Sequence, residues 1–343
     1  MNAVPPFLSI VVTGRNDDFG GDFNGRFFRS LRFNHDRLTE AGISHEFILV
    51  EWRPIRNAPY LSTLLTAAFP DLDAARLRCF IVDPVYHDAL SLNPRLQFQE
   101  FIAKNVGIRR ARGSFLLTTN TDIFLSRGVI ARLASRSLER GILHRATRYD
   151  LKSHSDVTRM DWAMLEDDRN YDAVNVIRAP LFTNASGDFL LLDRDSYHRL
   201  RGFNEVYRVA KIHIDGNFCL KAFASQVPLL DIGHPVYHVG RGTFHAQAGQ
   251  YRNRPGEAPW GDRRWKSDVI YLNGPEWGLA IAPERSISAG VTAIDFDWNA
   301  VGPMVDLSRV VHARASESAL APDTLRNRSA VRQYSRVAAA SAP

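Results

Sequence analysis

Lys104-Asn105-Val106-Gly107-Ile108-Arg109-Arg110-Ala111-Arg112-Gly113, then Ser-Phe-Leu-Leu-Thr-Thr, then Asn120-Thr121-Asp122-Ile123-Phe124-Leu125-Ser126, is the stretch on which the reading of this chain turns. It passes from a helical segment through a short apolar run into a turn that carries a carboxylate. An apolar run bounded by turn residues is what a strand buried on both faces requires. A helix feeding such a strand is the repeating unit of an α/β sheet.

The alternation extends outward from that stretch. Phe7 to Thr13 is apolar and β-branched and stops at Gly14, and residues 26–42 follow with helical spacing and end at Gly42. Glu46–Val50 and Leu77–Val82 predict two further strands, ending at Glu51-Trp52 and Asp83-Pro84, while 96–111 predicts a helix and Phe115–Thr119 the fourth strand. Beyond a polar, irregular stretch from about 140 to 180, a strand is expected at 187–193, helices at Arg194–Leu200 and Asp215–Ser225, and strands near 227–232 and 236–239. The expectation is an α/β fold with a mostly parallel central sheet flanked by helices. Ligands of such sheets bind outside the carboxyl ends of the strands, so Arg15, Asn16, Asp17, Glu51, Asp83, Asn120 and Asp122 are the first residues to consider.

Composition narrows the function classes. The 343 residues are 45% hydrophobic and 23% charged, which is globular rather than disordered. The net charge of +6 is scattered along the chain, and no helix-turn-helix, zinc-finger or RRM signature accompanies it. Scattered charge suits a phosphate-bearing ligand, or weak attraction to anionic lipid, better than nucleic acid. Cys79 and Cys219 lie in apolar runs and read as buried free thiols, which favours a reducing compartment. The N-terminus lacks a basic n-region and no stretch approaches 18 apolar residues, so neither a signal peptide nor a transmembrane segment is expected. The chain is expected to be cytoplasmic, with peripheral contact to the inner face of a membrane left open. His144, His154 and the acidic run Glu166-Asp167-Asp168 read as solvated surface.

The central stretch, Asn-x-Gly-x-x-x-Ala-x-Gly, then an apolar strand, then an acidic turn, resembles the nucleotide-sugar-binding half of GT-A fold glycosyltransferases, family 2 in particular. Three more pieces arrive in that family's order. The opening strand Leu8–Thr13 runs into Arg15-Asn16-Asp17, and the second strand ends in Glu51, where the resemblance places a contact to the nucleotide base. Gly187-Asp188-Phe189, then Gly202-Phe203-Asn204-Glu205, then His213-Ile214-Asp215 resembles the acceptor half. The likeness covers about residues 7 to 240 and departs from the family twice. Asn120 stands where the acidic motif usually has a second carboxylate, and His213 where a Glu usually precedes the catalytic Asp.

The resemblance implies one catalytic domain over 1–312. Residues up to about 130 form a nucleotide-sugar half, and 131–312 an acceptor half with a mobile loop at 241–275. The Ala-, Ser- and Arg-rich residues 313–343 are expected to form an extension with a disordered end. The donor is a nucleotide-sugar, with uridine favoured over guanosine, and the acceptor a glycan, a lipid-linked species or a small molecule. Thr13, Arg15, Asp17, Glu51, Asp83, Asn105, Asn120, Thr121 and Asp122 would meet the donor, and Gly187 and Asp188 a sugar. Breaking the glycosidic bond leaves concentrated charge on a diphosphate, which a divalent cation (Mn2+ or Mg2+) or basic side chains must neutralise. Asp122 and His238 are the metal candidates, with His234 and His245 competing for the histidine role. Asp215 is the candidate general base for the acceptor hydroxyl. Each of these residues also has an ordinary reading: Asp122 as a turn or cap, Asp215 as a helix cap, His238 as a strand histidine. The turn Gly14–Gly21 fails the dinucleotide-binding spacing and no Walker A motif is present. The remaining alternative is a GT-A-like domain that binds sugar nucleotides or glycans without turnover.

Overall fold

The computed structural model describes residues 4–94, 96–152, 160–208, 214–239, 269–306 and 311–314. The first four strands are β1 (Leu8–Gly14), β2 (His45–Trp52), β3 (Leu77–Val82) and β4 (Phe115–Thr118). They alternate with α1 (Phe23–Glu40), α2 (Leu61–Ala68), α3 (Pro84–Leu90) and α4 (Glu100–Arg110). Next come β5 (Ile123–Leu125), α5 (Arg127–Ala134), β6 (Leu143–Arg145), β7 (Arg148–Leu151), α6 (Trp162–Leu165) and β8 (Tyr171–Asn175). β9 (Leu190–Asp193), α7 (Arg194–Arg199), α8 (Ile214–Ala224), β10 (Leu229–Asp231) and β11 (Val236–His238) follow. The last elements are β12 (Val269–Leu272), β13 (Glu284–Ser288), β14 (Val291–Ile294), α9 (Trp298–Val305) and β15 (Val311–Arg314).

The central sheet has nine strands in the order β10-β6-β9-β4-β1-β2-β3-β14-β13. β1 pairs in parallel with both β2 and β4, β2 with β3, β3 with β14 and β6 with β10; β9 runs antiparallel to β4 and β6, and β13 to β14. The fold is therefore α/β with a mostly parallel central sheet flanked by helices. A second sheet, β5-β11-β7-β8, stands beside it, and β12 pairs with β15.

Alternation along the strands explains why both faces are covered. On β1 and β2, Val11, Ile48 and Val50 enter the core under α4, while Ile10, Val12, Phe47 and Leu49 enter the opposite core with Phe27, Leu31 and Leu38 of α1. The family-like glycines serve this packing. A Cβ on Gly107 would lie 2.5 Å from Val11 Cγ1 and 3.1 Å from Val50 Cγ2. A Cβ on Gly113 would lie 2.5 Å from the backbone nitrogen of Ser9. Two hydrogen-sized positions thus set how closely α4 and its exit turn approach the first two strands.

Several expectations shift. α1 begins at Phe23 rather than 26, because the Asp18 carboxylate accepts a hydrogen bond from Phe23 N at 3.0 Å. His144 is buried rather than solvated, because β6 is an interior strand between β10 and β9. Burial lowers its pKa to about 4. Residues 269–272 of the expected loop 241–275 form β12, and the boundary expected at 312 falls inside β15. His154, His213, His245 and residues 240–268 lie outside the described residues. Cys79 and Cys219 are both buried and free, and no helix among the described residues is long and apolar enough to cross a membrane.

Gly107→Ala forces a methyl onto two branched, fully buried valines, Val11 and Val50. The variant is expected to lose about 1–3 kcal/mol of stability with unchanged secondary structure, measured by urea unfolding and far-UV circular dichroism.

Candidate active site

β4 runs antiparallel to β9, so the residues just after β4 meet those just before β9. Asn120 Nδ2 donates to Asp188 Oδ1 at 2.6 Å, and Thr119 Oγ1 donates to the Asp188 carbonyl at 2.6 Å. Lys104, on α4 and with no side-chain exposure, donates to Asn120 Oδ1 at 3.0 Å, to the Gly187 carbonyl at 3.0 Å and to Glu100 Oε1 at 2.8 Å. On the other side of Gly187, its N–H donates to Asp215 Oδ2 at 2.7 Å, and Ser186 Oγ lies 2.8 Å from the same oxygen. Asp215, in the first turn of α8, is thereby joined to the end of β4 through one glycine residue and one ammonium.

A row of alternating charge continues from Asp188. Arg148 Nη1 lies 2.6 Å from Asp188 Oδ2, and its Nη2 lies 3.0 Å from Asp150 Oδ2. Asp150 Oδ1 lies 2.7 Å from His238 Nδ1, and His238 Nε2 lies 3.6 Å from Asp122 Oδ2. Asp122 Oδ2 then meets Arg26 Nη1 at 2.5 Å. Burial alone would lower the pKa of His238, but Asp122 and Asp150, one at each ring nitrogen, raise it to about 10. Burial likewise opposes ionisation of Asp122, yet His238 and Arg26 hold its carboxyl below the ordinary carboxylate range. Asp150 is held low against burial by His238 and Arg148.

This arrangement does not fit a divalent cation at Asp122 and His238. A metal ligand must offer a free lone pair: carboxylate oxygen for magnesium or manganese, and neutral imidazole nitrogen. Here the Asp122 oxygen that faces His238 already carries a guanidinium, and both His238 nitrogens face carboxylates. Among the described residues no group of three or more His, Cys, Asp or Glu side chains is arranged to hold an ion. His234 is exposed and packs beside Gly128 of α5, where a Cβ would collide with its Nδ1.

The remaining candidates divide. Thr13 is near the end of β1, and just beyond that strand Arg15 Nη1 lies 3.2 Å from Asp17 Oδ2 while its Nε donates to the Arg53 carbonyl. Thr121 is buried, and its carbonyl accepts from Ser30 Oγ of α1. Glu51 is fully buried, and its carboxylate accepts from Leu61 N at 2.8 Å at the start of α2; burial raises its pKa to about 7. Asp83 caps α3, accepting from Val85 N at 2.9 Å. Asn105 is also fully buried: it donates to the Phe203 carbonyl and Glu205 Oε1, and accepts from Phe203 N at 2.7 Å. The structure thus joins Asn120, Asp122, Gly187, Asp188, Asp215 and His238 in one network, and gives Glu51, Asp83 and Asn105 partners of their own elsewhere.

Sequence reasoning missed Arg26, Lys104, Arg148, Asp150 and Ser186. Arg148 and Asp150 carried a signal: the alternation Arg-Tyr-Asp on a strand puts both charges on one face. Nothing distinguished Arg26 from the other arginines of α1.

No protein-family profile matches the chain, and no curated protein matches it. Among solved structures, it is similar to the catalytic domain of Drosophila β1,4-galactosyltransferase 7 in complex with xylobiose, with 13% identity and a TM-score of 0.36 over 87% of this chain and 98% of that one. It is also similar to the galactosyltransferase LgtC in complex with donor and acceptor sugar analogues, with 10% identity and a TM-score of 0.35 over 65% and 72% of the two chains. A third is the mannose-1-phosphate geranyltransferase of Thermus thermophilus, with 12% identity and a TM-score of 0.28 over 73% and 81%.

His238→Gln keeps a polar side chain and removes the charge between Asp122 and Asp150. The folded protein holds the His238 proton up to about 10, against 6.5 ordinarily. The stabilisation from its charge is therefore complete below about pH 6.5 and is lost as pH rises toward 10. The melting temperature of the wild type should exceed that of His238→Gln most at pH 6, with the gap closing by pH 10. A gap that is constant with pH contradicts the charged pairing.

Proposed function

We propose that the protein is a glycosyltransferase that moves a sugar from a nucleotide-sugar, a UDP-sugar in preference, to an acceptor hydroxyl with inversion at the anomeric carbon. One observation carries the reading. Gly187 gives its N–H to Asp215 and its carbonyl to Lys104, which reaches Asn120. A carboxylate suited to proton abstraction is thus held beside the carboxyl end of a central strand of an α/β sheet, the general position of ligands in such folds.

Asp215 has the features the step needs. Its Oδ2 is fixed by the Gly187 N–H and the Ser186 hydroxyl, while Oδ1 has no hydrogen-bond partner among the described residues. The residue is half-buried, so a substrate hydroxyl can reach it. In the proposed step the acceptor O–H gives its proton to Asp215 as its oxygen bonds to the anomeric carbon. The bond from that carbon to the diphosphate oxygen breaks, and the nucleoside diphosphate leaves with the electron pair. Asp188 is a poorer base, because both its carboxylate oxygens already accept from Asn120 and Arg148. Its place between them suits a group that orients the donor sugar. Thr13, Arg15 and Asp17, at the end of β1, are the proposed nucleotide contacts.

Asp215→Asn preserves shape and removes the base. Transfer is expected to fall by about a hundredfold to ten-thousandfold while UDP affinity is retained. Initial rates, calorimetry and the anomeric configuration of the product by NMR check this. Near-normal transfer or a retained configuration overturns the assignment of Asp215. Sugar-nucleotide binding with no turnover in the wild type identifies a binding domain instead.

A further inference from the structure

Arg26 stands in the first turn of α1, directly after the turn that leaves β1, and its side chain is 12% exposed. Its three contacts are unequal. Nη1 meets the Asp122 carboxylate, while Nη2 donates to the Phe19 carbonyl at 2.6 Å and Nε to the Gly21 carbonyl at 3.1 Å. Phe19 and Gly21 belong to an exposed turn containing Gly20 and Gly21, both at positive φ. Two of the three acceptors are therefore neutral carbonyls on a surface turn, which a phosphate oxygen outcompetes for a guanidinium. Asp122, the third, keeps the group at the junction of β1 and β4 in the meantime.

We infer that Arg26 supplies the positive charge that the departing diphosphate meets in this site, so that donor binding requires no divalent cation. The inference rests on the glycosyl-transfer reading above and concerns how that site handles charge. The Asp122 oxygen that faces His238 is the one Arg26 holds, and His238, the second candidate ligand, points both ring nitrogens at carboxylates. The other carboxylates of the row, Asp150 and Asp188, are committed to Arg148, His238 and Asn120. A planar guanidinium with five N–H donors can trade its carbonyl partners for two phosphate oxygens without leaving the strand ends. Arg26 is thus a donor-binding residue that stabilises a leaving group, and Asp122 is the anion that positions it.

The test is calorimetric titration of UDP and GDP into the wild-type protein, once in EDTA and once in manganese chloride. The expected result is one nucleotide bound with affinities within threefold of each other in the two buffers. Arg26→Met should then weaken binding at least tenfold in both, and Arg26→Lys by less, since it keeps the charge but loses the fork. Manganese tightening wild-type binding tenfold or more overturns the inference, as does unaltered affinity in a folded Arg26→Met. If removal of Arg26 unfolds the protein by leaving Asp122 unpartnered, the wild-type comparison between the two buffers decides alone. Failure of both nucleotides to bind in either buffer overturns the glycosyl-transfer reading itself, and this inference with it.

Discussion

The ammonium of Lys104 is the constraint on which the rest of the site depends. It has no exposure to solvent, and a buried cation is tolerated only where anions or oriented oxygens surround it. Glu100, Asn120 and the Gly187 carbonyl do so. Their convergence fixes α4, the end of β4 and the segment before β9 about one atom. It also fixes which way Asn120 faces. The amide oxygen must turn to Lys104, so the amide nitrogen turns to Asp188. An aspartate at 120 could accept from Lys104 but would bring a second carboxylate against Asp188. The substitution that departs from the family-like acidic motif thus suits this network, since an amide accepts from a cation and donates to a carboxylate at once, which a carboxylate cannot do.

Much of the fold was legible because each central strand is apolar on both faces. The first four strands follow from runs such as Leu8–Thr13 and Leu77–Val82, bounded by Gly or Asp, and the long helices α1 and α4 from the spacing over 26–42 and 96–111, whereas the short α2 and α3 did not stand out. The parts that were not legible depend on contacts between distant segments. Val291–Ile294 is too short to stand out, and it becomes a strand because β3 offers it a parallel edge. His144 read as surface because it lies in the polar, irregular stretch from about 140 to 180, but strands on both sides bury it. In the central motif, sequence likeness pointed to ligand contact, whereas Asn105, Gly107 and Gly113 set the packing of α4 on β1 and β2 and hold the segment around Phe203. Such a motif is informative about function only through the residues that its packing delivers to the strand ends.

The charge row shows a second kind of illegibility. Arg26, Asp122, His238, Asp150, Arg148 and Asp188 come from α1, the β4–β5 turn, β11, β7 and the turn before β9. No local pattern joins them. Each of the four inner charges is buried or half-buried between two of the opposite sign, and this holds the Asp122 and Asp150 carboxyls below the ordinary range against burial. A charge removed from the middle of such a row leaves two neighbours uncompensated, so its members are coupled and single substitutions will not add.

The antiparallel placement of β9 has a mechanical consequence. Its ladder with β4 pairs Leu116 with Leu192, Leu117 with Leu191 and Thr118 with Leu190. Counting the same register two residues past the ladder sets Asn120 against Asp188, the pair joined at 2.6 Å. The separation between the end of β4 and the segment before β9 is therefore a matter of strand register within one continuous sheet. This alignment is held by backbone hydrogen bonds. It can be lost only by a slip of the strand, which would turn every buried leucine of β9 toward the wrong layer.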